Sequence, residues 1–200
     1  MSDQPTHGNL RQRLEELLDR ATRHVITRDE IDEAALLLRG PIPGVNLYAV
    51  LQTVGWGMGT WHEDDIARFL DWPQDSQVAA KALQVLVVFW GDPERRYRDW
   101  VAAALDGLPW DDQDEVRLSA VFAARVYCER DDDVRLAQAL VRIALGDDNP
   151  LFRETAGASL ALALAPDRRD VGDLAVRRNN PDTWVRGVVD DALHRWREPI

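Results

Sequence analysis

Apolar residues recur along this chain at steps of three and four, with little strict alternation, which is the pattern of amphipathic helices rather than strands. Leu10, Leu14, Leu17, Leu18, Ala21 and Val25 form the first such stripe, with Asn9 as its expected N-cap. A second helix is expected from Thr27 or Asp29 through Ile31, Ala34, Ala35 and Leu38, until Gly40-Pro41-Ile42-Pro43-Gly44 breaks it. Beyond that break, Asn46 is placed to cap a helix through Leu47, Val50, Leu51 and Val54 that ends at Gly55-Trp56-Gly57-Met58-Gly59. Thr60 or Trp61 then opens a helix whose first turn carries Glu63, Asp64 and Asp65, where acids complement the helix dipole.

From there the pattern repeats. The segments starting at Asp75, Asp114, Asn149 and Asn180 each pair a capping residue with an apolar anchor and then a helix. The anchors Val78, Val116, Phe152 and Val185 are 38, 36 and 33 residues apart, within the range of helical repeats. Between them lies a second helix each time: Arg96 to Leu105, Val134 to Leu145, and Val171 to Val176. Each repeat is thus a helical hairpin. A lone hairpin cannot bury its apolar face, whereas stacked hairpins share one core.

The turns Asn149-Pro150-x-Phe152-Arg153 and Asn180-Pro181-x-x-x-Val185-Arg186, with Asp114-Glu115-Val116-Arg117, resemble the start of the second helix in HEAT repeats. The resemblance spans roughly residues 60 to 197 and departs at Ala79, where the arginine is absent. It implies an all-α fold, a right-handed α–α superhelix of stacked HEAT-like hairpins. Residues 1–44 would form an N-terminal helical cap and 45–200 the repeat solenoid packed on it as a single domain. It also implies a ladder between adjacent repeats, with Arg117, Arg153 and Arg186 as rungs and Asp114, Asn149 and Asn180 as their turn partners.

Charge narrows the choice of partner. The 35 acidic and 24 basic side chains leave a formal net charge of -11, which disfavours nonspecific attraction to nucleic acid or to an anionic membrane and favours a basic protein. The chain is 46% hydrophobic and 30% charged, a composition that folds. Its single cysteine, Cys128, sits in an apolar run and suits a small core position in a reducing compartment. The first eight residues lack a basic-then-apolar signal pattern and no apolar stretch reaches a membrane span, so the expected location is the cytoplasm.

Gly55-Trp56-Gly57-Met58-Gly59 lacks the Lys-Ser/Thr of a P-loop and does not follow a strand, so it reads as a flexible interhelical turn. His62-Glu63 resembles the opening of a zincin helix, but Ile66 stands where the second histidine belongs. His7, His24, His62 and His194 have no partners at ligand spacing, and no Gly-x-Ser-x-Gly elbow occurs. No catalytic residue, metal ligand or cofactor is therefore expected.

Two features suit binding instead. Among eight tryptophans, Trp56, Trp61, Trp72 and Trp110 fall at helix ends or turns, where they are expected to line one edge of the stack. Acids recur at the connections: Asp111 and Asp112 with Asp114 and Glu115, Glu129 with Asp131, Asp132 and Asp133, and then Asp147 and Asp148. In a solenoid these turns would line up on one rim and form a single negative stripe. The expected function is a protein-binding module that grips a basic partner, in its sharpest form an immunity protein neutralising a cationic nuclease. The HEAT-like resemblance carries two alternatives. One is similarity to alkylpurine DNA glycosylases, with Trp100 and Asp99, or Trp110 and Asp111, at the damaged base. The other is a HEAT-type chromophore binder or lyase.

Overall fold

In the computed structural model, which describes residues 7–40, 44–164 and 181–196, every regular element is helical and no strand occurs among the described residues. Contacts divide the chain into two compact units, Met1–Glu94 and Arg95–Ile200. The Gly40–Gly44 break falls inside the first unit. Of the four repeat anchors, Val78 belongs to the first unit and Val116, Phe152 and Val185 to the second. All four are buried.

The first unit contains α1 (His7–Thr22), α2 (Arg28–Leu36), α3 (Leu47–Trp56), a 3-10 turn (Thr60–His62), α4 (Glu63–Ala67) and α5 (Ser76–Leu83). The helix containing Asn9 starts three residues earlier than its cap assignment required, so Asn9 lies inside α1, and Val25 falls beyond its end and is exposed. Other caps sit where local chemistry places them. Thr27 and Glu30 form a capping box, with the Thr27 backbone N–H donating to Glu30 Oε2 at 2.9 Å. Asn46 accepts from the Ala49 N–H at 3.2 Å, and Asp75 accepts from Gln77 and Val78.

Helix α5 runs directly into a π-helical segment, Gln84–Phe89. It packs on α3 at Gly55, where a Cβ would lie 2.6 Å from Val85 Cγ2, and the Trp90 indole N–H donates to the Gly55 carbonyl at 3.2 Å. Gly57 and Gly59 approach Ile31 of α2 equally closely, at 2.8 and 2.6 Å from a built Cβ. The glycines of this stretch are therefore points of tight packing between elements, and Gly55 is still helical. That differs from the flexible turn expected of them. Close by in sequence, Lys81, the chain's one lysine, is buried on α5. Its ammonium donates to Gln84 Oε1 at 2.8 Å and lies 4.5 Å from the Tyr48 ring centre, a cation–π contact that takes the place of a carboxylate partner.

The second unit contains α6 (Arg98–Leu105), α7 (Glu115–Asp131), α8 (Val134–Gly146), α9 (Pro150–Leu164) and α10 (Pro181–Arg195). Helix α7 packs against α6, α8 and α9, and α10 lies against both α8 and α9. Small residues at the contacts, including Ala120, Ala123, Ala124, Ala137 and Ala156, let the helices approach closely around Tyr127, Leu140 and Phe152. The helix expected over Val171 to Val176, the turn partner Asn180 and residues 41–43 of the Gly40–Gly44 break lie outside the described residues.

Gly55 and Gly187 should respond in opposite directions to alanine. Gly55→Ala gains up to about 1 kcal/mol of helix propensity, but forces Val85 aside, at a typical overpacking cost of about 1–3 kcal/mol. Gly187 lies within α10 with nothing within 4 Å of a built Cβ, so Gly187→Ala should stabilise by about 0.5–1 kcal/mol. Urea unfolding of both variants should move the midpoint down for the first and up for the second.

Candidate binding surfaces

The acids of the second unit do not form one stripe. Consecutive turns between antiparallel helices alternate between the two ends of the hairpins, so only every second turn shares an edge. Asp131, Asp132 and Asp133 join α7 to α8 at one end, whereas Asp111 and Asp112, before α7, and Asp147 and Asp148, before α9, lie at the other. The 17 residues of α7 separate the two groups by about 25 Å.

Arginines engage most of these carboxylates. Asp133 is buried, caps α8 through the Leu136 N–H at 3.1 Å, and accepts from Arg98 Nε at 2.6 Å and from Arg95. Burial works to raise its pKa, but Arg98, the capping N–H and Arg95 outweigh it and hold the carboxyl below the ordinary aspartate range. Asp131 accepts from Arg130 Nη2 at 2.6 Å, and that hydrogen bond lowers its pKa. Asp132 takes a left-handed backbone, φ 50°, and its carboxylate receives Arg195 at 2.7 Å and the Trp196 indole N–H at 3.3 Å.

At the opposite end, Arg117 links two turns. Its backbone N–H donates to Asp111 Oδ2 at 2.9 Å, its Nε to the Leu105 carbonyl at 3.1 Å, and its Nη2 pairs with Asp147. Arg153 donates to the Asp147 carbonyl at 2.7 Å, and Asn149 Oδ1 accepts from the Leu151 N–H. Asp114 stands at the N-cap position of α7 with φ 56° and makes no side-chain cap bond, so Asp111 supplies the carboxylate there instead. Asp111 Oδ1 is buried without a partner among the described residues. Arg186 is exposed on α10, and Asp112 and Asp148 are exposed at the turns.

Leu145 and Leu151, each 55% exposed, flank the α8–α9 turn at this end. A shallow groove of about 240 Å³ opens beside it, lined by Asp106, Arg117, Arg142 and Asp147 over Ala139 and Ile143. Of the pairs suggested for base recognition, Asp99 is exposed and bound to Arg98, while Asp111 faces the backbone of α7. Cys128 is buried, and burial pushes its thiol up to about 12, leaving little thiolate at neutral pH. Among the described residues no group of three or more His, Cys, Asp or Glu is placed to hold a metal ion, and no helix is long and apolar enough to cross a membrane.

The tryptophans divide as well. Trp56 is half-buried against Phe89 and Trp72 against Phe69, with ring centres 6.5 and 5.0 Å apart, and Trp110 is half-buried in the second unit. Trp61 differs, being 45% exposed. Its indole N–H donates to Asp32 Oδ1 at 2.7 Å, and the Arg28 guanidinium lies 4.6 Å from its ring centre. Beside it His62 is buried between two carboxylates, with Nε2 2.7 Å from Asp32 and Nδ1 3.2 Å from Asp65. Arg39 grips Asp65 through both Nε and Nη2, and this contact, ahead of the His62 bond, lowers the Asp65 pKa. Asp32 is lowered first by Trp61 and then by His62. The spacing of His62 and Asp65 on one helical turn is visible in sequence. Asp32, which lies 30 residues from His62, is not.

Asp133→Asn keeps the α8 cap but removes the buried counter-charge of Arg95 and Arg98, which keep only the more exposed Asp131, at 3.6 Å, and Asp99. The expected loss is about 3 kcal/mol at neutral pH, at the low end for a broken buried pair because Arg95 is 42% exposed. The folded pKa is depressed, so the carboxylate's contribution is present above the ordinary aspartate value of 3.8 and fades as pH falls through the folded value. Chemical denaturation across pH should therefore show the gap between wild type and variant narrowing in acid. Asp112→Asn, at an exposed turn, should stay within about 0.5 kcal/mol of wild type throughout.

Compared with protein-family models, with curated proteins and with solved structures, the chain matches none, and its function has to be read from its own geometry.

Proposed function

We propose that this chain is a protein-binding module built of HEAT-like helical hairpins, and that its partner is a basic protein. The reading rests chiefly on the end of the second unit where the α6–α7 and α8–α9 turns meet. Arg117 draws these two turns together, and the exposed carboxylates Asp112 and Asp148 stand there near the exposed Leu145 and Leu151. Exposed leucines beside exposed carboxylates suit a recognition edge: the carboxylates steer a partner of opposite sign and the leucines contribute buried area. The Arg117–Asp147 pair and the Arg153 contact to the same turn are compatible with a ladder between repeats. Immunity-type inhibition of a cationic nuclease is the narrowest form of the reading, since it asks for a small, acidic, fast-associating binder.

Affinity capture from lysate of the source organism at low and high salt is the direct test, using wild type and the double variant Asp112→Asn, Asp148→Asn. The expected outcome is a protein of basic isoelectric point whose recovery falls with salt and with the variant. A partner indifferent to both changes, or one that is acidic, would overturn the electrostatic reading.

A further inference from the structure

The first unit carries a surface that the acidic turns of the second do not explain. Trp61 is held like a core residue yet remains 45% exposed. The bond to Asp32, the Arg28 stacking and the flanking His62 and Arg39 contacts to Asp32 and Asp65 fix its ring before any partner arrives. Exposed aromatic side chains usually lose rotamer freedom on binding, and a ring already fixed avoids that cost. Gly57 and Gly59 press this segment onto Ile31 of α2, which sets Met58, 52% exposed, beside the helix that presents Leu36, 59% exposed. Trp and Arg are the residue types enriched in binding hot spots, and Met is enriched at interfaces.

The charge around this patch selects its occupant. Helices α2 and α4 together carry seven carboxylates; Glu30 and Glu33 are taken by Arg20 and Arg13 of α1 on the far flank, which leaves Asp29, Asp32, Glu63, Asp64 and Asp65 against Arg28 and Arg39. The first unit as a whole has 15 acidic and 8 basic side chains. Resting on the protein-binding reading above, we infer that Trp61, Met58 and Leu36 form a docking surface for a segment of the partner protein in which arginine or lysine alternates with aliphatic residues. The aliphatic side chains cover Met58 and Leu36. A cationic side chain lies over the part of the Trp61 ring that Arg28 leaves open, where the indole face and the nearby carboxylates attract it together.

The test uses the full chain and a short synthetic peptide alternating Arg and Leu, with the same peptide carrying Glu for Arg as control. Titration is followed by NMR through the tryptophan indole N–H peaks and the Met58 methyl, with Trp61 assigned by loss of its peak in Trp61→Phe. The Arg peptide is expected to move the Trp61 and Met58 signals and to bind at least tenfold more weakly to Trp61→Ala. Trp61→Phe, which keeps a ring face but loses the Asp32 hydrogen bond, should give a smaller loss, and both variants are compared only if their circular dichroism matches wild type. Should Trp61→Ala not retain that spectrum, Met58→Ser and Leu36→Ser carry the same expectation. Binding of the Arg peptide with shifts confined to the second unit and no effect of Trp61→Ala would overturn this surface and leave the wider reading standing. Equal binding of the Glu peptide would overturn the basic partner in both, and binding of neither peptide would overturn the docking surface.

Discussion

One buried carboxylate, Asp133, organises the second unit. It begins α8 by accepting the Leu136 N–H, and it receives Arg98, at the start of α6, and Arg95, just before it. A helix entry and the approach to another helix are thus fixed by the same two oxygens. Burial of an unpaired carboxylate would be prohibitive, and here the arginines and the capping N–H more than offset it, as the lowered pKa of Asp133 records. Because the turn between α7 and α8 is only two residues long, the position of Asp133 also sets where α7 must end. The left-handed conformation of Asp132 makes that reversal sharp, and Arg195 from α10 closes onto its carboxylate.

The first unit applies the same device to α2. A helix of nine residues is too short to persist alone, so its stability comes from its neighbours. On one flank Arg13 and Arg20 of α1 bind Glu33 and Glu30, and on the other Trp61, His62 and Arg39 engage Asp32 and Asp65. This explains an imbalance in composition. Of the 24 basic side chains, 23 are arginine, whose planar fork matches a carboxylate on another element in a way that an ammonium does not. The single lysine sits where the surroundings are aromatic faces and an amide oxygen instead.

What could be read in the sequence was what is local. Thr27, Asn46 and Asp75 cap helices because capping involves residues two or three positions apart. The anchors Val78, Val116, Phe152 and Val185 are core because helical periodicity depends on neighbours alone. Asp114 failed as a cap since its backbone is left-handed, and Asp111, three residues earlier, has the reach. The Gly55–Gly59 stretch reads as a flexible interhelical turn because sequence does not show that Val85 and Ile31 lie against those glycines. The cluster around His62 was hidden for the same reason, as Asp32 comes from a different helix. The acidic turns were legible one by one, but their grouping depends on which end of each hairpin they occupy.

Internal pairing changes what the negative charge is able to do. An arginine held on a carboxylate removes the local field of that carboxylate, but the excess of acids over bases survives and acts out to about a Debye length, roughly 8 Å at physiological salt. That excess is unevenly divided: 15 acids to 8 bases before Arg95, and 20 to 16 from Arg95 onward. A surplus of this kind attracts a basic partner and raises its rate of encounter, yet it fixes no orientation and discriminates weakly among cationic proteins. Orientation has to come from side chains that are both exposed and immobile. The network that holds α2 supplies one, because the bonds that stabilise a short helix also leave the face of Trp61 fixed at the surface. Stability of the fold and preparation of a recognition surface are here two effects of the same hydrogen bonds, so a change that loosens α2 would weaken both.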